Sequence, residues 1–329
     1  MVVEHAHEPA RRPDAPRPAA PAGARDAFAG AAHDRSVRLY DTTAARTSAL
    51  VLGAYSTSFG WGSRLLGRRA HRDIEAVYGL VRLADEVVDT FGGPGAAQEL
   101  DELEAQTVRA LRTGYSTNLV VHAFARTARR TGITTAETAP FFASMRADLH
   151  ATVHDRESFE QYVYGSAEVV GLMCVRVFLN ADRIPGEPLV EPDPQQVAGA
   201  RALGAAFQKI NFLRDLGVDA HELGRAYFPG TERGRLTEEQ RAQVLDEIGR
   251  DVAVARAALP RLPGRSRYAV AATLALYDRL LADLAAQPAD RLTAARVRVP
   301  GPVKVRVVAG AVGRQWWARR RAGGRDGQA

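Results

Sequence analysis

The chain has 329 residues, of which 46% are hydrophobic, so it is long enough to bury a large core. Its formal net charge of +6 is compatible with phosphorylated partners, but much of the basic excess lies at the two ends of the chain, which argues against a nucleic-acid reader. The single cysteine, Cys174, excludes an internal disulfide and favours a reducing cytoplasm.

The chain begins with a stretch, 1–35, whose alanine, proline and arginine content predicts a disordered tail. From 36 to 318 apolar residues recur every three or four positions, which predicts one all-α domain of roughly eight to ten helices, and 319–329 form a basic tail. Glycine, proline and threonine clusters place the breaks between helices at 92–95, 131–135, 185–194, 229–234, 260–266, Pro288 and Pro300–Pro302.

A first polar line crosses the apolar segment IEAVYGLVRLADEVVDT. Tyr78, Arg82, Asp85 and Asp89 fall at i, i+4, i+7 and i+11, so they share one helix face beside an apolar stripe. A solvated surface is the ordinary interpretation of such a line. However, like charges four residues apart destabilise an isolated helix by about a few tenths of a kcal/mol.

A second polar line follows in ALGAAFQKINFLRDLGVDA, where Gln208, Asn211, Asp215 and Asp219 have the same kind of spacing. Two acidic lines in one chain are better explained if cations lie between their carboxylates. Carboxylate and amide oxygens without neighbouring His or Cys suit Mg²⁺, with Mn²⁺ as the second choice. Metal ions between two such helices would bind a diphosphate and neutralise it as it leaves.

Membrane contact is expected to be peripheral at most. The sequence has no run of about 18 apolar residues, and its N-terminus lacks the apolar core of a signal peptide. The segment Val303–Trp317 suits an interfacial helix, although a last helix packed on the domain is an equally good interpretation.

The stretch LGAAFQKINFLRDLGVDAHELGRAYFP (203–229) resembles the phytoene and squalene synthases, which join two prenyl diphosphates head to head. STSF (56–59), RLADEVVD (82–89) and YVYGSAEVVGLM (162–173) are similar to three other motifs of that family. Glu168 departs from the pattern, because a small residue is usual there. The resemblance implies a single-domain isoprenoid-synthase helical bundle around a central apolar cavity.

The resemblance also implies roles for individual side chains. Mg²⁺ ions would be bound by Asp85, Asp89, Asn211, Asp215 and Asp219. Substrate contacts would come from Ser56, Ser58, Phe59, Tyr78, Arg82, Tyr162, Gln208, Asn211, Arg214, Arg225, Tyr277 and Arg296. Arg82 and Tyr227 join the four aspartates in catalysis. Phe59, Tyr162, Phe207 and Phe212 are expected to line the cavity, although each alone is more often a core residue.

The reaction implied by the resemblance is the Mg²⁺-dependent condensation of two geranylgeranyl diphosphates to phytoene, through a cyclopropyl diphosphate and with release of two pyrophosphates. Ser63, small and one turn after Phe59, favours a C20 chain. NADPH is not expected, although reductive members of the family also lack a Gly-rich dinucleotide fingerprint. Squalene or dehydrosqualene synthesis from farnesyl diphosphate and a catalytically silent helical scaffold are the alternatives. The oligomeric state is left open.

Overall fold

The computed structural model describes residues 22–56, 58–150, 153–222, 227–231, 235–292 and 299–323. Within these ranges the chain forms helices and no strand, which confirms the all-α prediction. The helices are α1 (Ala22–Tyr55), α2 (Ser58–Ser63), α3 (Arg68–Glu86), α4 (Ala96–Thr113), α5 (Leu119–Thr131), α6 (Thr135–Asp148), α7 (Arg156–Val163), α8 (Val169–Asn180), α9 (Pro194–Glu222), α10 (Glu238–Ala258), α11 (Ser266–Ala285), α12 (Ala289–Leu292) and α13 (Gly301–Gly323).

The chain divides into two units, Met1–Thr42 and Thr43–Ala329. The first contains the beginning of α1, which starts at Ala22, ahead of the expected tail boundary at residue 35. The second contains the other helices and all the site residues described below. The helix α13 continues to Gly323, past the expected start of the C-terminal tail.

Local caps explain where the helices stop, at the predicted break 131–135 and also at Gly114, where no break was predicted. α4 and α5 end at Gly114 and Gly132, which have φ values of 78° and 82°, in the left-handed region that glycine adopts without strain. Thr134 and Glu137 then form a capping box at the start of α6. The short helices α2 and α12 are additional elements that the periodicity did not predict.

Two apolar clusters hold the second unit together. One packs α3, α4, α5, α6 and α8 around fully buried residues such as Leu80 and Phe124. The other packs α9, α10 and α11 around residues such as Ile210 and Leu274. Each such side chain contributes about 1.5–3 kcal/mol by burial. Phe178 on α8 packs against both clusters, so this helix is the seam between them.

The segment Arg156–Asn180 is one continuous helix that is long and apolar enough to cross a membrane, with a mean hydropathy of 1.4. This differs from the expectation that no segment would qualify. The apolarity has a structural explanation, because this helix packs on α6 and α9 and contributes to both cores. Two charged side chains in its second half are paired with neighbouring helices: Arg176 with Glu137 at 2.9 Å and Glu168 with Arg201 at 2.6 Å.

The last helix, α13, packs against α11. Among its described side chains Ala311 is buried, whereas Val305 is 48% exposed. The arrangement agrees with the second interpretation of Val303–Trp317, a last helix packed on the domain.

Candidate active site

An apolar cavity of about 260 Å³ lies between α3, α8, α9 and α11. Small residues from the facing helices make room for it: Gly62, Ser63, Ser166, Ala167, Gly171, Gly199, Ala200 and Gly204. Ser63 therefore lies in the cavity wall, as its small size suggested. Polar side chains are concentrated on α9 and α11, where Gln208, Asn211 and Tyr277 join the lining.

The first acidic line lies on α3 and on a π-helical turn, Val87–Phe91, that follows it directly. Burial, together with the nearby carboxylates of Asp89 and Asp148, raises the pKa of Asp85 to about 7. Arg82 opposes this effect with an Nη1 atom 3.7 Å from Asp85 Oδ2. Its guanidinium is shared, because it also pairs with Glu86 and stacks 4.3 Å from the centre of the Tyr55 ring. Asp85 is thus only partly neutralised.

Two tyrosines connect this line with α9. Tyr78 on α3 is hydrogen-bonded to Ser56, and its pKa is raised by burial and, more weakly, by Asp85 and Tyr277. Tyr277 on α11 is hydrogen-bonded to the amide of Asn211, and its pKa is also raised by burial, with a smaller contribution from Asp215. The two acidic helices therefore face a common region and are linked through polar hydroxyls.

On α9, the negative charge of the second acidic line is compensated in a different way. Arg214 donates from Nε to Asp215 Oδ1 at 3.0 Å and from Nη2 to Oδ2 at 2.5 Å. The Oδ1 atom of Asn211 is buried and has no hydrogen-bond partner among the described residues. An orphaned amide oxygen is costly unless something occupies its lone pairs, so it is a candidate ligand for a hard cation.

Asp148, at the end of α6, is a residue that the sequence interpretation missed. It accepts hydrogen bonds from the hydroxyls of Tyr162 at 2.5 Å and Tyr227 at 3.4 Å, and its charge acts on Asp85. The only signal in the sequence was an acid at the end of an apolar helix, and that signal is weak. Tyr227 and Tyr162 thus belong to the site through Asp148.

The expected cavity lining is partly wrong. Phe207 does line the cavity and stacks on Tyr277, with ring centres 3.7 Å apart. Tyr162 and Phe212 are instead buried in an aromatic cluster with Tyr227, which stacks on Phe212 at 4.1 Å. Aromatic spacing on a helix does not distinguish these two environments, because both faces of α9 are buried.

Glu168 ends a second π-helical turn, Tyr164–Glu168. Its carboxylate pairs with Arg201, which also stacks on Tyr164, so its charge is compensated. The neighbouring backbone is in close contact with α9: a Cβ on Gly204 would lie 2.3 Å from the carbonyl oxygen of Ala167. Glycine at 204 is therefore required for this close approach of the helices.

The residues present fit a magnesium site formed partly by substrate. No group of three or more His, Cys, Asp or Glu in the described part of the chain is arranged to bind one metal ion. Mg²⁺ commonly takes one or two carboxylates together with phosphate oxygens, so Asp85, Asp89, Asp215 and the orphaned oxygen of Asn211 are a suitable donor set. The predicted Asp219, Arg225, Arg296, Ser58 and Phe59 side chains lie outside the described residues.

The sequence model described as squalene/phytoene synthase matches residues 52–302. The chain belongs to this family. One relative is phytoene synthase 3 of Zea mays, a chloroplastic protein 30% identical over 76% of this chain and 61% of its own length. Another is the 15-cis-phytoene synthase of Enterobacter agglomerans, 28% identical over 68% of this chain and 80% of its own length. The chain thus spans less than two thirds of the maize relative.

Solved structures of this family have the same fold. A dehydrosqualene synthase has a TM-score of 0.69 at 20% identity and covers 84% of this chain and 97% of its own. A squalene synthase from Alicyclobacillus acidocaldarius has a TM-score of 0.61 at 16% identity, with coverage of 79% and 97%. At these identities the likeness supports the isoprenoid-synthase helical fold and no particular substrate.

Proposed function

We propose that this protein is a prenyltransferase that joins two geranylgeranyl diphosphates head to head into phytoene, releasing two pyrophosphates. The observation that carries the proposal is the apolar cavity between two acid-bearing helices, with polar side chains only at part of its wall. The curated relatives named as phytoene synthases favour the C20 substrate and carotenoid biosynthesis. The small Ser63 in the cavity wall agrees with a long chain.

Asp85, Asp89, Asn211, Asp215 and Asp219 would hold Mg²⁺, with Mn²⁺ as a substitute. The metal would supply Lewis-acid neutralisation of the leaving pyrophosphate. Because Arg82 neutralises Asp85 only in part, a bound cation would stabilise the Asp85 carboxylate further. The orphaned Asn211 oxygen offers a further ligand.

The protein itself would bind and orient the two chains. The guanidinium groups of Arg82 and Arg214, with Arg225, suit diphosphate oxygens because their forked donors match phosphate geometry. Tyr78, Tyr277 and Gln208 would fix the position of the diphosphate at the entrance of the cavity. The apolar wall would exclude water, which would otherwise capture the allylic and cyclopropyl cations as alcohols.

A product assay tests this proposal directly. The purified protein is incubated with geranylgeranyl or farnesyl diphosphate and Mg²⁺, each with and without NADPH, and the hydrocarbon is identified by its mass. A C40 hydrocarbon formed without NADPH is expected. A C30 product would instead support squalene or dehydrosqualene synthesis. No pyrophosphate release with either substrate would refute a prenyltransferase and support a silent scaffold.

We place this activity in the cytoplasm without an NADPH requirement. A single cysteine is consistent with a reducing compartment. Cys174 lines the cavity, and burial raises the pKa of its thiol to about 12, so the thiol stays protonated and is not an activated nucleophile. The hydrophobic product suggests contact with the inner membrane surface.

A further inference from the structure

Away from the candidate active site, four arginines line a hollow of about 380 Å³ beside the end of α5. They are Arg126, Arg129, Arg130 and Arg183, and the backbone of Gly114, Pro185 and Gly186 completes the wall. No acidic side chain of the described chain contributes to that wall. The hollow is therefore a concentrated positive charge outside the substrate cavity.

The arginines are held largely by neutral groups. Arg129 donates to the carbonyl oxygens of Leu111 at 3.1 Å and Arg112 at 2.6 Å. Arg183 donates to the carbonyl of Arg130 at 3.2 Å and to that of Glu187. Carbonyl acceptors fix a guanidinium without cancelling its charge. Arg130 is the exception, since it pairs with the buried Asp73. Arg129 and Arg183 are thus pre-positioned without loss of their charge.

Exposed apolar residues lie close in the chain to the residues that line the hollow. Tyr115 follows Gly114 and is 54% exposed, and Ile184 follows Arg183 and is 63% exposed. In the same loop Leu189 and Val190 are also exposed. Hydrogen bonds from Asn180 to the carbonyls of Thr131 and Val190 hold this loop against the end of α5. We call the four arginines and these four apolar residues the docking face.

The combination of charges and apolar side chains selects the partner. A nucleic acid would use an extended basic stripe with several stacking aromatics, whereas this face has a compact basic hollow beside one tyrosine and three aliphatic side chains. An anionic bilayer satisfies both parts, because lipid phosphates accept from the guanidinium groups while the apolar rim enters the interface. We propose that the docking face binds the protein to an anionic phospholipid surface.

The docking face is distinct from the acidic site and from α13. Asp73, the partner of Arg130, precedes Asp85 by twelve residues on α3, which is about 18 Å along the helix. Ile74, next to Asp73, lines the cavity. The docking face therefore lies beside a part of the cavity wall that is far from Asp85 and Asp89. The purpose of lipid binding by the docking face, delivery of a hydrocarbon product to lipid, rests on the proposed function. The lipid binding itself does not depend on that function.

Vesicle flotation tests the proposal. The full chain is mixed with vesicles of phosphatidylcholine alone or with added phosphatidylglycerol, at low and high salt. We expect flotation with the anionic vesicles at low salt and loss of it at high salt. The double variant Arg126→Glu with Ile184→Asp should reduce the bound fraction about tenfold. Tyr115→Ser is an independent variant with a smaller loss, in case the double variant does not fold.

A matched control carries the same chemical changes on α10. Arg250→Glu with Val254→Asp alters an exposed arginine and an exposed valine and should float like the wild type. Equal flotation of the wild type and the docking-face variants would overturn the proposal, and so would loss of flotation only in Lys304→Glu with Arg306→Glu on α13. Equal flotation accompanied by inorganic phosphate binding would make the hollow a site for soluble anions instead.

The same samples separate this proposal from the enzymatic one. Turnover of detergent-dispersed prenyl diphosphate should be unchanged in the docking-face variants. A wild type that floats yet releases no pyrophosphate refutes the prenyltransferase and leaves the docking face standing. A wild type that turns over substrate but does not float with anionic vesicles refutes the docking face alone.

Discussion

The two acidic helices carry similar sequence patterns but different charge compensation. On α3, Asp85 lies near Asp89 and Asp148, and its pKa is about 7 because burial and these carboxylates disfavour ionisation. On α9, Asp215 is bound by Arg214 through both Nε and Nη2. The comparison shows that equal spacing of acids does not give equal electrostatics. The difference comes from the residues beside each acid on its own helix and, for Asp85, from Asp148 at the end of α6.

This difference suggests a division of labour in the proposed reaction. A bound cation would stabilise Asp85 most, because it would relieve the repulsion between Asp85 and the carboxylates of Asp89 and Asp148. On α9 a cation at Asp215 would compete with Arg214 and leave its guanidinium available to a diphosphate. Three predictions test the comparison between the two helices.

The largest expected effect is on turnover. Asp85→Asn and Asp215→Asn should each lower the rate of pyrophosphate release by about a thousandfold, as is typical when one group that stabilises a developing charge is removed. Asp246→Asn, which removes an exposed carboxylate paired with Arg250, is the control and should retain the wild-type rate. A near-normal rate in Asp215→Asn would remove α9 from the metal site and limit the site to α3.

The next effect is on thermal stability in the presence of a chelator, where the two variants should move in opposite directions at pH 8. Asp85→Asn removes a repelled charge and should raise Tm by about 2 °C, a value kept small by solvent screening. Asp215→Asn breaks an ion pair and should lower Tm by about 2 °C. Differential scanning calorimetry measures both, and shifts of the same sign would show that the charge environments of the helices are alike.

The smallest effect is the pH dependence of stability without divalent cations. Because the folded pKa of Asp85 is about 7 and its ordinary value is 3.8, the folded state binds more protons between these limits. The contribution of Asp85 to stability therefore falls as the pH rises from about 4 to 7. Urea denaturation of Asp85→Asn should show a shallower decline over this range than the wild type. A parallel decline would assign the effect to other groups.

Part of this architecture follows from the sequence because it depends on local chemistry. Gly132, inside the predicted break at 131–135, stops its helix through a left-handed conformation. The polar lines on α3 and α9, including Asn211, follow from helical periodicity, whereas Tyr277 was predicted from the family resemblance. These residues do meet, through the hydrogen bond between the Asn211 amide and Tyr277.

Other parts depend on contacts between distant segments. Asp148 joins the site because Tyr162 and Tyr227, 14 and 79 residues further along the chain, bring their hydroxyls to it. Phe207 and Phe212 lie on one helix, and only the surrounding helices decide which lines the cavity and which packs on Tyr227. The charge of Glu168 was judged from its position alone, whereas Arg201 on another helix compensates it.

The π-helical turns at Val87–Phe91 and Tyr164–Glu168 have a consequence for the design of variants. A π turn holds one more residue than an α-helical turn, so it offsets the angular phase of everything that follows it. Deleting Val87 or Val88 would change the spacing of Asp85 and Asp89 from four residues to three and would also change the winding between them. Shortening the chain by one residue there would therefore alter the relative orientation of two carboxylates that no substitution had touched.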